Sequence, residues 1–390
     1  MLQQYNKAIS HLLEDLRSRR QSADMIMIAC SLFLYLELIR GNLKQAFGHL
    51  EAGIKILNST SKSSSPSMMI PSDRIARELS RLFSRLNINM SLQGRRPTPY
   101  NPPNSPTVDN SPDTPNQPLH SLENARDTLT GLMNKSLRFI YRVSSESGRL
   151  LRPQLEAERQ GIQRELEEWR VSFDQLLTTQ VKYKKKGTSS DSDPRGPLSL
   201  SCHHRSTLVW IKSLYSRDAM IFDEFAADFE AIVVDAKALI KHNITAGSKE
   251  RASNTQSDPH HRPCPPSQPP SKPDFYLEMG IIPALSWTAM RCRKPLLRRE
   301  AIRLLELHHS VEGTFNSMAM VQLAKLVIDV EETNLQHLPL EQRIPEEKDR
   351  IYDSHRPDEQ ESNTSLVVLV SKPNGPDGDW HFRKELLTWH

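Results

Sequence analysis

Apolar positions recur every three or four residues through most of this chain, the spacing of helices with one buried face. Tyr5, Ile9, Leu12, Leu13 and Leu16 make the first such stripe. The run Met25–Ile39 is apolar almost throughout, and Leu43, Phe47, Leu50, Ile54 and Leu57 form a third stripe after an Arg-Gly-Asn break at 40–42. Helix, short turn, helix is similar to a tetratricopeptide-type hairpin, but no matching repeat follows, so an array is not expected. A shorter stripe carries Ile75, Leu79, Leu82, Phe83 and Leu86.

Two long helices are predicted over 121–146 and 154–181, the second with Leu155, Ile162, Leu166, Trp169, Phe173 and Leu176 on one face and Glu and Arg on the other. Helices follow at 199–217 and 219–242, then at about 276–291, 295–308 and 314–332. The pattern changes at the C-terminus. "SLVVLVSKPNGPDGDWHFRKELLTW" reads as strand, turn, strand, with Asn-Gly-Pro-Asp-Gly as the turn, and "RIYD" at 350–353 adds a short third strand.

Two stretches break the periodicity. Residues 94–118 hold eight prolines and residues after 258 hold seven more by position 273, with few apolar residues between them. The expected fold class is therefore mainly α: a multi-helical unit with helical hairpins, two disordered proline-rich inserts and a small C-terminal β-element. Its parts are an N-terminal helical part (1–93), an insert (94–120), central helices (121–245), a second insert (246–273), C-terminal helices (274–336) and a β-hairpin tail (348–389).

Composition narrows the function classes. The 390 residues carry 51 Lys and Arg against 47 Asp and Glu, a net charge of +4 that lacks the concentrated basic face of a nucleic-acid binder. The four cysteines, Cys30, Cys202, Cys264 and Cys292, are far apart, which fits reduced thiols better than a disulfide framework. The Met25–Ile39 run includes Glu37 and falls short of the ~20 residues a membrane span needs. It is expected to be a buried core helix, and no membrane partner is expected.

Chemical motifs are sparse. No GxSxG, Gly-rich phosphate loop, HExxH or CxxC occurs, so no catalytic, cofactor-binding or metal-ligating residue is assigned and no enzymatic activity is expected. Cys202-His203-His204 is compact, but neighbouring helix positions diverge, so surface histidines are expected. His260, His261 and Cys264 lie in a proline tract, where a fixed zinc tetrahedron is not expected. "KYKKK" at 182–186 reads as a solvated charge run, with a nuclear-import patch as its alternative. The stretch "MRCRKPLLRREAIRLLE" from Met290 to Glu306 is the most basic helical segment. Leu297, Ala301, Leu304, Leu305 and His308 are expected to form its packed arc, with Arg298, Arg299, Arg303 and Glu306 on the outer face. Pro295 suits a first helical turn. Cys292 has no cysteine neighbour, so a buried structural thiol is expected.

Several blocks resemble one family. "LQQYNKAISHLLEDL" with "IMIACSLFLYLELIRGNLKQAFGHLEAGIKIL", then "DEFAADFEAIVVDAKALI", and above all "FYLEMGIIPALSWTAMRCRKPLLRREAIRLLELHHSVEGTF", are similar to the fungal-specific transcription factor domain of Zn2Cys6 regulators. Phe315 stands where that pattern usually has tryptophan. Within the family the likeness is to regulators of secondary-metabolite gene clusters. The resemblance implies a regulatory domain acting on RNA polymerase II transcription in the nucleus. Its implied partners are proteins of the transcription machinery, a homodimer partner and a small-molecule effector. Family members hold two zinc ions in an N-terminal run of six cysteines and contact DNA through it. This sequence lacks that run, so neither zinc nor DNA is assigned to a residue, and the chain is expected to begin inside the regulatory domain. A truncated gene model, a fragment, or a regulator that has lost its reader all fit. A free-standing helical interaction module without DNA binding is the alternative function.

Overall fold

A computed structural model describes residues 23–60, 73–99, 118–145, 152–184, 194–254, 273–355, 360–361 and 364–389, with Lys7 and Ser10. The chain is mainly α-helical and divides into two compact units, Met1–Thr114 and Pro115–His390. The predicted first helix, the bulk of both proline-rich stretches, His260, His261 and Cys264, and most of 182–197 lie outside the described residues.

In the first unit, α1 (Ala23–Ile39) and α2 (Leu43–Thr60) form the predicted hairpin. Gly41 turns the chain with φ 72°, a left-handed conformation that glycine adopts without strain. α3 (Asp73–Ser91) packs on this pair. Phe83 of α3 lies so close to Gly53 of α2 that a Cβ there would overlap its ring. α1 is not wholly buried: Met27, Leu34 and Leu38 face the core while Leu32 and Ile39 are exposed. The start of the first proline-rich stretch is held in place. Asn87 accepts from the Thr98 N–H and donates to the Thr98 carbonyl, which closes a loop over buried Pro97.

The second unit begins with α4 (Leu122–Ser145), α5 (Arg152–Lys184) and α6 (Arg195–Ser213). Trp169 on α5 donates its indole N–H to Ala125 on α4 at 3.1 Å. Asp218 caps a 3-10 turn, Ala219–Phe225, that leads into α7 (Ala226–Asn254). α7 extends further than expected, into the second proline-rich stretch. Its last residues are Lys, Glu, Arg, Ala, Ser and Asn with no proline before 259, so nothing stops the helix earlier.

α8 (Ile282–Arg291), α9 (Pro295–Leu307) and α10 (Ser317–Glu331) pack together, and α9 also packs on α7. Asn316 caps α10 by accepting from Met318 and Ala319. Short strands were not foreseen here: β1 (Asp274–Tyr276), β2 (Ser310–Glu312) and β3 (Phe315–Asn316) form a small sheet with β1 parallel to β2. Residues 276–281 and 314–316 are therefore not helical, as pattern alone had suggested. These strands are too short for period-two alternation to register. The C-terminal sheet follows expectation. β4 (Ile351–His355) and β5 (Gln360–Glu361) flank one side of β6 (Thr364–Ser371), and β7 (His381–Thr388) flanks the other. All these pairs are antiparallel.

Candidate functional site: a buried arginine–carboxylate core

Part of the basic stretch enters the protein, while Lys294 and Arg303 stay on its surface. Arg298 is 0% exposed and Arg293 2%, so the expected outer face of α9 is corrected at Arg298. At about 100° per residue, Arg298 falls only about 20° from Leu305. The buried arc of α9 takes in Pro295, Arg298, Ala301, Ile302, Leu304 and Leu305.

Glu331, at the end of α10, organises the cluster. One carboxylate oxygen accepts from Arg293 Nη2 at 2.6 Å and from the Ile351 N–H at 2.9 Å. The other lies 2.8 Å from Arg298 Nη1. Arg298 Nε donates to the Ala289 carbonyl at 3.0 Å, tying α9 to α8. Arg293 also donates to the Met290, Arg291 and Ile351 carbonyls. Next along, Arg299 forks onto both oxygens of Glu332, at 3.0 and 2.6 Å. Arg291 reaches the Ile351 and Tyr352 carbonyls and Asp353, with its guanidinium 5.4 Å from the Phe222 ring centre.

Burial pushes the Glu331 carboxyl up, but the Arg293 and Arg298 guanidiniums and the Ile351 amide outweigh it, so its pKa lies below the ordinary carboxylate value. Burial lowers Arg293 to about 10, against the pull of Glu331, and it stays charged at neutral pH.

A further arginine continues this lattice. Arg350 is 0% exposed and forks onto Asp223 at 2.9 and 2.8 Å, with further bonds to the Ala219 and Pro345 carbonyls. Together Glu331, Arg291, Arg293 and Arg350 fasten the start of β4 to the helices and to the 3-10 turn. Chemically this is a latch: every charge it buries meets an opposite charge.

Glu312 makes a separate polar centre. Its carboxylate accepts from the N–H groups of Gly280, Ile281 and Ile282 at 2.8–3.2 Å, which caps α8 from a distant strand. His308 lies 2.9 Å from the same carboxylate. The approach requires glycine at 280, because a Cβ there would overlap the Glu312 carboxylate. His203 bonds the Gly280 carbonyl at 2.6 Å.

The Cys202–His204 triplet is buried, which corrects the expectation of surface histidines. Its side chains diverge as the helix demands. His203 points to Gly280, His204 bonds the Leu166 carbonyl at 2.9 Å and stacks on Trp169, and Cys202 faces the Ile232 carbonyl. Burial lowers His204 to about 4, although the Leu166 carbonyl opposes it, and burial likewise lowers His203. Cys292 is 2% exposed and packs with Val209, Phe225 and Phe229, as expected. Burial raises its pKa.

The described cysteines do not suit a binuclear zinc cluster: Cys30, Cys202 and Cys292 are buried free thiols on three separate elements, on α1, on α6 and after α8. Among the described residues no three metal-ligating side chains converge. A shallow groove beside the latch is lined by Arg299, Ile302, Arg303, Glu306, Lys325 and Ile328. Its cations are engaged by Glu332, Glu300 and Glu306.

No helix among the described residues is long and apolar enough to cross a membrane. No family model matches the chain, and no solved structure does. The chain is similar to the aspercryptin biosynthesis cluster-specific transcription regulator of Emericella nidulans, at 29% identity over 197 residues. The match covers 45% of this chain and 29% of that protein, so the chain spans well under half the length of the curated relative it matches. That similarity supports a relationship to fungal transcription regulators.

Proposed function

We propose that this chain is the regulatory, non-DNA-reading region of a fungal Zn2Cys6-type transcription factor. In this reading it acts in the nucleus on RNA polymerase II transcription of a secondary-metabolite gene cluster, through protein partners. The similarity to a cluster-specific regulator carries the proposal. The chemistry of the basic stretch supports it: Arg291, Arg293, Arg298 and Arg299 are engaged by carboxylates and carbonyls of the same unit. Base reading needs side chains free to reach groove edges. A helical scaffold closed by an internal latch suits protein–protein regulation instead.

The test is a reporter assay. The full chain is fused to a heterologous DNA-binding module and expressed in a filamentous fungus carrying the matching operator. The fusion should shift reporter output several-fold from that of the module alone, in either direction. Output equal to that of the module alone, with the fusion present in the nucleus, would count against a regulatory role.

A further inference from the structure

Among the described residues the C-terminal sheet ends in an open strand. Among the described residues β7 pairs only with β6, so its outer row of N–H and C=O groups faces away from the sheet. Most of β7 is exposed, with only Leu387 fully buried. Phe382 and Leu386 are 61% and 71% exposed, and the β6–β7 register puts them on the same face as Leu366, itself 37% exposed. An unpaired strand bearing exposed apolar side chains is a template for another strand.

The sequence of β7, His-Phe-Arg-Lys-Glu-Leu-Leu-Thr, is complementary to itself when reversed. A two-fold axis perpendicular to a continuous antiparallel sheet must pass midway between one residue and its own copy. With Lys384 facing its own copy across that axis, Phe382 faces the second copy's Leu386 and Arg383 faces the second copy's Glu385, and each pair occurs twice. Neighbouring allowed registers lose this. Centring on Arg383 sets Phe382 against Lys384, and centring on Glu385 sets Arg383 against Leu387. Arg383 already meets Glu385 along its own strand at 2.5 Å, so the two copies would join two Arg–Glu pairs into a four-charge cluster. We propose that this chain self-associates through β7, antiparallel and centred on Lys384, to form one sheet across two copies. The inference does not depend on the transcription-regulatory reading.

The geometry also limits the strength of the contact. The facing Lys384 pair repels and His381 meets Leu387, and an eight-residue edge buries less than the ~1,200 Å² at the lower end of stable interfaces. A small edge of this kind fits a weak, reversible dimer. Closure consumes the β7 edge of both copies, so the assembly stops at two.

Sedimentation velocity of the full 44.6 kDa chain from about 1 to 100 µM tests this. The mass should rise toward twice the monomer value. Arg383→Glu places carboxylates opposite Glu385, and Glu385→Arg places guanidiniums opposite Arg383, so each variant alone should sediment as a monomer. Mixed in equal amounts they should associate again, because both cross-axis pairs between positions 383 and 385 are then opposite in charge. Leu386→Glu, on the other face, should also dissociate the dimer, and circular dichroism melts of each variant establish that it is folded. A monomer at every concentration would overturn the proposal. So would association that survives Leu386→Glu, or a charge-variant mixture that stays monomeric.

Discussion

Glu331→Ala removes the anion at the centre of the latch. Two guanidiniums that are at most 2% exposed lose their counter-charge, and the Ile351 N–H loses its acceptor. Breaking a buried pair from one side costs about 3–5 kcal/mol, and an orphaned buried amide about 1–3 kcal/mol. The losses overlap, since water entering the site would serve all three groups, so a net loss of about 4 kcal/mol is expected. With a urea slope of about 3 kcal/mol per molar, the unfolding midpoint should fall by about 1.3 M. The assay is urea unfolding followed by tryptophan fluorescence, with hydrogen exchange at the Ile351 amide as a local readout. Glu346→Ala, in an exposed pair with Lys348, is the control and should leave the midpoint in place. Acid adds a second signature. The Glu331 pKa is lowered in the fold, so its contribution is present above the unfolded carboxylate value of about 4.3 and is lost as pH falls through the folded value. Glu331→Gln should flatten that part of the acid profile. A Glu331→Ala midpoint no lower than that of Glu346→Ala would refute the latch.

Three further outcomes follow from the same geometry. His204 titrates at about 4 in the fold against about 6.5 unfolded, so it should remove up to roughly 3 kcal/mol of stability as pH drops between those values. His204→Gln should flatten the unfolding free energy over that window, and an unchanged profile would contradict the assignment. Gly280→Ala forces a Cβ against the Glu312 carboxylate that caps α8 and should cost about 1–3 kcal/mol in thermal unfolding, whereas a neutral result would mean the cap tolerates displacement. Cys292 should resist a thiol reagent in the folded chain and react on unfolding, and Cys292→Ser should cost about 1–3 kcal/mol, since its surroundings are apolar. Rapid labelling of native Cys292 would contradict its burial.

Helices with long regular stripes were legible in the sequence because one face of each is buried over several turns. α5 shows this, with Ile162, Leu166, Trp169 and Phe173 all buried. The C-terminal hairpin was legible from its turn residues. The polar interior was harder to read. Assigning Arg298 by residue type placed it outside, although its angular position next to Leu305 placed it in. A usable signal lay in Glu331 and Glu332, two acids at the C-terminal end of an apolar helix, where the helix dipole disfavours negative charge. Such a pair calls for buried cations, and Arg293, Arg298 and Arg299 supply them. Glu312 and Gly280 gave no local signal, because their contact joins a strand to a helix start 30 residues earlier in the chain.

The central proposal is that this chain regulates without reading DNA, with Arg293 and Arg298 of its basic stretch buried inside the fold. The most direct test is a binding titration of the purified chain against genomic fragments at about physiological ionic strength, ~0.15 M. The account predicts at most weak binding that is indifferent to sequence and collapses as salt rises, because Arg291, Arg293, Arg298 and Arg299 are held by carboxylates of the same unit. A tight, sequence-selective complex under those conditions would contradict it.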